Sequence, residues 1–224
     1  MRIYRRDEVC SFRFVRETWG EFSNFAPLAV PIAAGPWTFQ WSEGLYQAAK
    51  FGAAPEVQRR IAGARTAGEA ARIGRGTAAG LHPCWMSQRV NAMRWALRMK
   101  REANAAAIDA ALARTCERAI VEVSTRDAWW GAKPAGDSCR GHNVLGRLWM
   151  ELRRQLRDGD PAAHSTFWLA RTDIGRLAET PSPRSVQCTR EAPGGVRKSS
   201  GMPPVSRHSP CPHPGSPFAV AEFQ

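Results

Sequence analysis

The chain has 224 residues, 43% of them apolar, and carries 32 Lys and Arg against 20 Asp and Glu for a formal charge of +12. That is enough apolar side chain for a real core in one ordinary domain or two small ones, which excludes wholesale disorder and a fibre. No apolar run approaches the ~20 residues a membrane span needs, and the charged start MRIYRRDEVC lacks the apolar stretch of a secretory signal, so the expected compartment is the cytoplasm.

Along the chain, Phe12 and Phe14 alternate with polar residues, and Trp37, Phe39 and Trp41 do so again, which predicts two short half-buried strands. Ser42 then stands as the expected N-cap of a helix through Phe51 (SEGLYQAAKF). Pro55 opens a second helix (PEVQRRIA), and Thr66 with Glu69 forms a capping box for a third that Gly74 ends. Met86, Val90, Met93 and Leu97 recur at helical spacing, and Asn104 is placed to cap NAAAIDAALART. AIVEVS, residues 119–124, reads as a strand. The segment 143–156 is an amphipathic helix with Leu145, Leu148, Trp149, Leu152 and Leu156 on one side. The fold class expected from these elements is mainly α, an α+β domain with a few short strands at its edge.

Composition changes after Asp160. Residues 161–224 hold ten of the sixteen prolines and no sustained period, so the expected organisation is a folded domain over 1–160 and a largely disordered tail over 161–224, with a last turn or two at Phe167–Leu177 docking on the domain. Residues 1–160 carry 25 basic and 16 acidic side chains, a net +9, so the charge belongs to the domain. The base is almost all arginine and suits anionic partners such as phosphate esters, nucleotides or nucleic acid. The six cysteines show no CxxC and suggest reduced structural thiols; His208, Cys211 and His213 in the tail fall short of a closed four-ligand zinc shell, so no metal is expected.

Three features point to chemistry. Glu43, Gln47 and Lys50 stand at i, i+4 and i+7 and project from one helix face. Such a stripe most often marks a solvated face, but the aromatic approach Trp37–Trp41 would set this helix start beside an apolar wall. Asp127, Trp129, Trp130 and Gly131 (RDAWWG) leave the strand 119–124 and suit either a stacking platform for a flat heterocycle or a structural turn with core indoles. Gly141, Asn143 and Gly146 surround a helix N-terminus whose free N–H groups are expected to receive a phosphate, with Arg72 and Arg75 (ARIGRG) completing an anion pocket or lying on the surface.

In order, FSNF (22–25), SEGLYQAAKF, ARIGR (71–75), Trp85, DAWWG and GHNVLGRLWMELR resemble the NADAR family of YbiA-like N-glycosidases, from about Phe12 to Leu156. The resemblance implies a mainly helical α+β fold and hydrolysis of an N-glycosidic bond at a ribose C1′, with no cofactor. It implies a small-molecule substrate, a phosphorylated ribosylamino-pyrimidine intermediate of riboflavin synthesis. The alternatives are hydrolysis of ADP-ribosyl-guanine in DNA or RNA, which would make nucleic acid a partner, and a non-catalytic module binding ADP-ribose or nucleic acid. The family's glutamate falls on Glu43, its lysine on Lys50, its isolated tryptophan on Trp85, its acidic-aromatic pair on Asp127 and Trp130, and its asparagine on Asn143.

The chemistry suits these residues: Glu43 as general acid/base, Lys50 as Schiff-base or phosphate-binding residue, and Asp127 holding the base's amino groups. Trp85 and Trp130 are expected to stack on the base, with Gln47, Arg75, Gly131, Asn143 and Gly146 completing the binding set. Where the family has His-Tyr in the first helix this chain has Gly44 and Leu45, and Cys84 and Lys133 also depart from its pattern; all four are expected near the pocket.

Overall fold

Leu145, Leu148, Trp149 and Leu152 give helix α6 (Val144–Asp158) one fully buried face, and the rest of the domain is assembled against it. The computed structural model describes residues 1–169. Before α6 the chain runs β1 (Arg2–Arg5), β2 (Val9–Phe12), β3 (Ile32–Ala34), β4 (Trp37–Phe39), α1 (Ser42–Ala48), α2 (Pro55–Ala62), α3 (Ala67–Gly76), α4 (Trp85–Ala103) and α5 (Ala105–Arg114). It continues through β5 (Ala119–Glu122), β6 (Ala132–Ala135) and β7 (Ser138–Gly141), and ends after α6 with α7 (Ser165–Leu169). The fold is mainly helical α+β. Among the described residues no helix is long and apolar enough to cross a membrane.

The strands form three separate pieces: an antiparallel sheet in the order β1-β7-β6, a parallel pair β2-β5, and the hairpin β3-β4. β1, β3, β6 and β7, only three or four residues each, are too short for alternation to show them in the sequence. In β5 the two faces divide cleanly. Val121 and Val123 join Tyr4 and Cys139 in a small cluster, whereas Ile120 belongs to the main core with Phe12, Trp149 and Leu45. Glu122, two residues on, therefore shares the main-core face of the strand.

Several local expectations are corrected. Phe14 is exposed and lies beyond the end of β2, because the strand's parallel pairing stops at Phe12 against Glu122. Trp41, not Ser42, occupies the N-cap of α1; Ser42 is the first helical residue and its hydroxyl donates to Asn24 Oδ1 at 3.2 Å, a tertiary partner in place of a helix N–H. The regular α-helix stops at Ala48 and a 3₁₀ turn carries Ala49–Phe51. Thr66 caps α3 through Glu69 N, but the Glu69 carboxylate reaches past it to Arg65 N, and the helix runs on to Gly76 rather than ending at Gly74. Asn104 stands at the start of α5 with its side chain turned away, exchanging hydrogen bonds with both Val30 N and Val30 O. Met86 is exposed on α4. Cys10 and Cys139 are buried free thiols.

Two buried cations fasten the frame. Lys100 on α4 donates to the carbonyls of Glu21 and Ser23 at 2.6 and 2.8 Å, and Trp149 Nε1 donates to Phe22 O at 2.9 Å, so the FSNF segment is tied to both long helices. Arg98 bonds Glu151, Gln155 and the carbonyl of Ala162, which joins α4 to α6 and to the turn Pro161–Ala163. Residues 161–169, beyond the expected boundary, thus still pack on α4, where Ser165 N donates to Glu102 at 2.7 Å. The expected tail from residue 170 onward, with its His208, Cys211 and His213, lies outside the described residues.

Candidate active site

A cavity of about 250 Å³ opens where the N-terminal part of α1 meets the exit of β5 and the start of α6. Glu43, Gln47 and Lys50 all face it from α1 and the turn that follows, and all three are buried. The stripe is therefore no solvated face: α1 is enclosed on every side, with Leu45, Ala48 and Phe51 in the core behind it. Such enclosure needs close packing. A Cβ on Gly74 of α3 would lie 2.2 Å from Gln47 Oε1, so only glycine lets α3 approach α1 here. The carbonyl of that same Gly74 accepts from Lys50 Nζ at 3.3 Å.

Electrostatics distinguish these side chains. Burial pushes the Glu43 carboxyl above its ordinary pKa, opposed by the Gln47 amide, which donates to Glu43 Oε1 at 2.8 Å, and by the charges of Arg75 and Lys50. Burial pulls Lys50 down to about 8, with Glu43 opposing and Arg75 adding to the fall. The ammonium lies 5.4 Å from the Trp85 ring centre and 5.8 Å from that of Tyr46, faces that favour a cation. Arg75, exposed on α3, lines the cavity and makes no ion pair among the described residues; Arg72 is turned to solvent with Glu69 at 4.0 Å and does not line it.

Asp127 reaches the cavity from the β5–β6 loop. Its Oδ1 accepts from Trp129 N at 2.7 Å and Trp130 N at 2.9 Å, closing a tight turn, while its other oxygen accepts no hydrogen bond among the described residues. That turn aims neighbouring indoles at different places: Trp130 lines the cavity and Trp129 does not. Trp85 does not line it either. It sits one layer back, its ring 5.2 Å from Tyr46, and the apolar wall is Tyr46 set edge-on to Trp130 at 5.7 Å, with Phe25 and Leu145 beside them.

The helix start expected to receive phosphate is already filled. The N–H groups of His142, Asn143, Val144 and Leu145 donate to the carbonyls of Ala128, Gly131, Trp129 and Trp130 at 2.7–3.0 Å, so these four donors are taken. Asn143, in the left-handed region with φ +50°, donates to Ile120 O at 2.8 Å and accepts from Glu122 N at 3.1 Å. A Cβ on Gly146 would lie 2.1 Å from Ile120 O, so this glycine brings α6 onto β5. Gly131 is buried beneath Glu122 O. These three residues build the floor rather than touching the cavity.

The departures from the family pattern also lie off the cavity. Gly44 packs on Phe39 and Ala70, Leu45 is in the core, Cys84 precedes α4, and Lys133 is exposed on β6. Sequence reasoning missed Tyr46, Asn24 and, above all, Glu122. The last carries a signal in its alternation with Ile120, since a carboxylate on the buried face of a strand needs a reason. Burial, Asp127 and Glu43 together push Glu122 up to about 7. No group of three or more His, Cys, Asp or Glu among the described residues is arranged to hold a metal ion.

Comparisons with known proteins place the chain in a family. The NADAR domain family model matches residues 12–157. The N-glycosidase YbiA of Escherichia coli strain K12 is 37% identical over 151 residues, covering 67% of this chain and 90% of that protein. The chloroplastic riboflavin biosynthesis protein PYRR of Zea mays is 33% identical over 168 residues, 69% of this chain and 26% of that longer protein. The NMR structure of E. coli YbiA superposes with a TM-score of 0.58 at 36% identity, over 69% of this chain and 88% of that one. The chain belongs to the NADAR domain family.

Proposed function

We propose that this protein is an N-glycosidase that hydrolyses the C1′–N bond of a phosphorylated ribosylamino-pyrimidine. The hydrolase class is supported by family membership and by relatives named N-glycosidases; the substrate class is supported by those named for riboflavin biosynthesis. The observation that carries the reading is the convergence of Glu43 and Lys50 from one helix and Asp127 from a distant loop on one small cavity with an aromatic wall.

Cleavage of an N-glycoside passes through positive charge on C1′ and the ring oxygen. Glu43 is the acid/base group facing that carbon. In its ionised form it stabilises the charge and draws a proton from the attacking water. Tyr46 and Trp130 hold the pyrimidine, and the free oxygen of Asp127 accepts from its amino groups. Lys50 and Arg75 supply the positive charge for the sugar phosphate in place of the occupied helix start. Because Lys50 already donates to Gly74 O over two ring faces, it acts as a charge; a Schiff base with the ring-opened sugar is the competing role. The test is to offer the protein a ribosylamino-pyrimidine 5′-phosphate and look for ribose 5-phosphate by mass spectrometry. Release supports the reading, and an intact substrate defeats it.

A second reading, removal of ADP-ribose from guanine in nucleic acid, is favoured by one separate feature. A groove of about 550 Å³ is lined by Arg2, Arg94, Arg147 and Arg154 and by Trp129, the residue before the cavity's Trp130. Arg94 is paired there with Glu151, but Arg147 and Arg154 make no ion pair among the described residues. ADP-ribose released from a guanine-modified oligonucleotide, with affinity falling steeply as salt rises, would select this reading over the first.

A further inference from the structure

Resting on the N-glycosidase reading, we propose that Glu122 is the catalytic residue that donates a proton to the departing base, which leaves Glu43 to take the proton of the attacking water. The two carboxylates reach the same cavity from different elements, Glu43 from α1 and Glu122 from the end of β5. Their surroundings divide the roles. Glu43 receives the Gln47 amide N–H and lies among the positive charges of Lys50 and Arg75, all of which favour its ionised form. The Glu122 carboxyl receives no hydrogen bond and no ion pair from any described residue, and the charged groups that bear on it are Asp127 from the loop that follows and Glu43 of α1, both negative. A single proton shared by the pair therefore rests on Glu122.

The position is built rather than incidental. Asn143 Oδ1 accepts from Glu122 N, and Gly131 is held so close beneath Glu122 O that a Cβ there would lie at 2.7 Å, which fixes the backbone from which the carboxyl projects. Trp130 and Asp127, two of the three groups assigned to the base, come from the loop that β5 leads into, which puts Glu122 next in the chain to the leaving group's partners, while Tyr46 comes from α1. In the reaction the C1′–N bond breaks, the nitrogen keeps the electron pair, and the Glu122 O–H proton passes to it. The water oxygen bonds to C1′ and its proton passes to the Glu43 carboxylate. One proton returning from Glu43 to Glu122, directly or through water, restores both groups.

The test compares wild type, Glu122→Gln and Glu43→Gln on two substrates. One is a ribosylamino-pyrimidine 5′-phosphate, whose base needs a proton to leave. The other is nicotinamide mononucleotide, whose pyridinium base departs neutral without one. Glu122→Gln is expected to lose about 10²-fold or more in kcat on the first substrate, together with the fall in rate at alkaline pH, and less than about tenfold on the second. Glu43→Gln loses activity on both. Equal losses of Glu122→Gln on both substrates would overturn the proposal, as would an unchanged rate or an alkaline limb that survives the substitution. If wild type cleaves neither substrate the N-glycosidase reading itself has failed and the proposal falls with it. Carbon-13 NMR of the glutamate carboxyls in the free protein, assigned by the loss of one signal in Glu122→Gln, adds a readout independent of turnover. Glu122 is expected to titrate above the ordinary carboxylate range, and titration within that range would contradict the assignment.

Discussion

The amide of Gln47 donates to Glu43 Oε1 at 2.8 Å, one helical turn along α1 and wholly inside the protein. This bond opposes the rise that burial forces on the Glu43 pKa, because a donor to a carboxylate favours its charged form. Replacing Gln47 by Leu removes the donor, so the Glu43 pKa rises further and the acid limb of the kcat/KM profile moves to higher pH. The alkaline limb, set by another group, stays in place. A profile of Gln47→Leu with an unmoved acid limb would dissociate Glu43 from the base role.

Lys50 is the second residue whose role is open to direct test. With its pKa near 8 and its ammonium donating to Gly74 O over the Trp85 and Tyr46 rings, it is mostly charged at neutral pH. Borohydride added during turnover is expected to leave no adduct on the peptide that contains Lys50. Lys50→Met is expected to raise KM more than it lowers kcat, by about tenfold or more for a lost charge-assisted contact. A reduced sugar adduct at Lys50 would make this residue a nucleophile.

The helix arrangement was largely legible in the sequence, and the reasons are specific. Pro55, the Thr66 hydroxyl and the apolar face of α6 act through nearest neighbours along the chain, so local chemistry places those helices. The Glu43, Gln47 and Lys50 stripe was legible for the same reason. What escaped depends on contacts far apart in sequence. Whether the first N–H groups of α6 are free is decided by the carbonyls of residues 128–131, and nothing in GHNVLG reveals that they are taken. Trp85 and Trp130 look alike in the sequence, yet Tyr46 stands between Trp85 and the cavity. Glu122 was hidden in an unremarkable strand, and only the pairing of β5 with β2 and its packing under α6 turn that carboxyl to the cavity.

Asn143 offers a test of that correction. Its side chain bridges Ile120 O and Glu122 N while its backbone sits at φ +50°. Asn143→Gly keeps the backbone comfortable but strands two buried groups, at a cost of about 1–3 kcal/mol each; Asn143→Ala adds backbone strain of about 1 kcal/mol. Urea unfolding should therefore rank stability as wild type, then Gly, then Ala. A phosphate-binding Asn143 would instead give variants of native stability with a raised KM.

Buried Lys100, pulled down by burial to about 7 from an ordinary 10.5, makes a prediction about the frame. Between those two values the unfolded chain binds the proton that the folded protein does not, so this residue makes stability rise with pH from about 7 upward. Lys50 acts in the same direction above about 8. Lys100→Met is expected to be less stable at every pH, because the carbonyls of Glu21 and Ser23 lose their donor, and to show a smaller gain between pH 7 and 9. Parallel stability curves for the two proteins, measured by urea unfolding, would show that Lys100 does not titrate in that window.

The central claim is that Glu43 performs acid/base chemistry on a C1′–N bond, and the most direct measurement is the rate of ribose 5-phosphate release from a ribosylamino-pyrimidine 5′-phosphate by wild type and by Glu43→Gln. Glutamine keeps the size of the side chain and the cavity, so binding should persist while kcat falls by about 10²–10⁴-fold. Cleavage by Glu43→Gln at the wild-type rate, with the variant folded and binding substrate as before, would contradict the account.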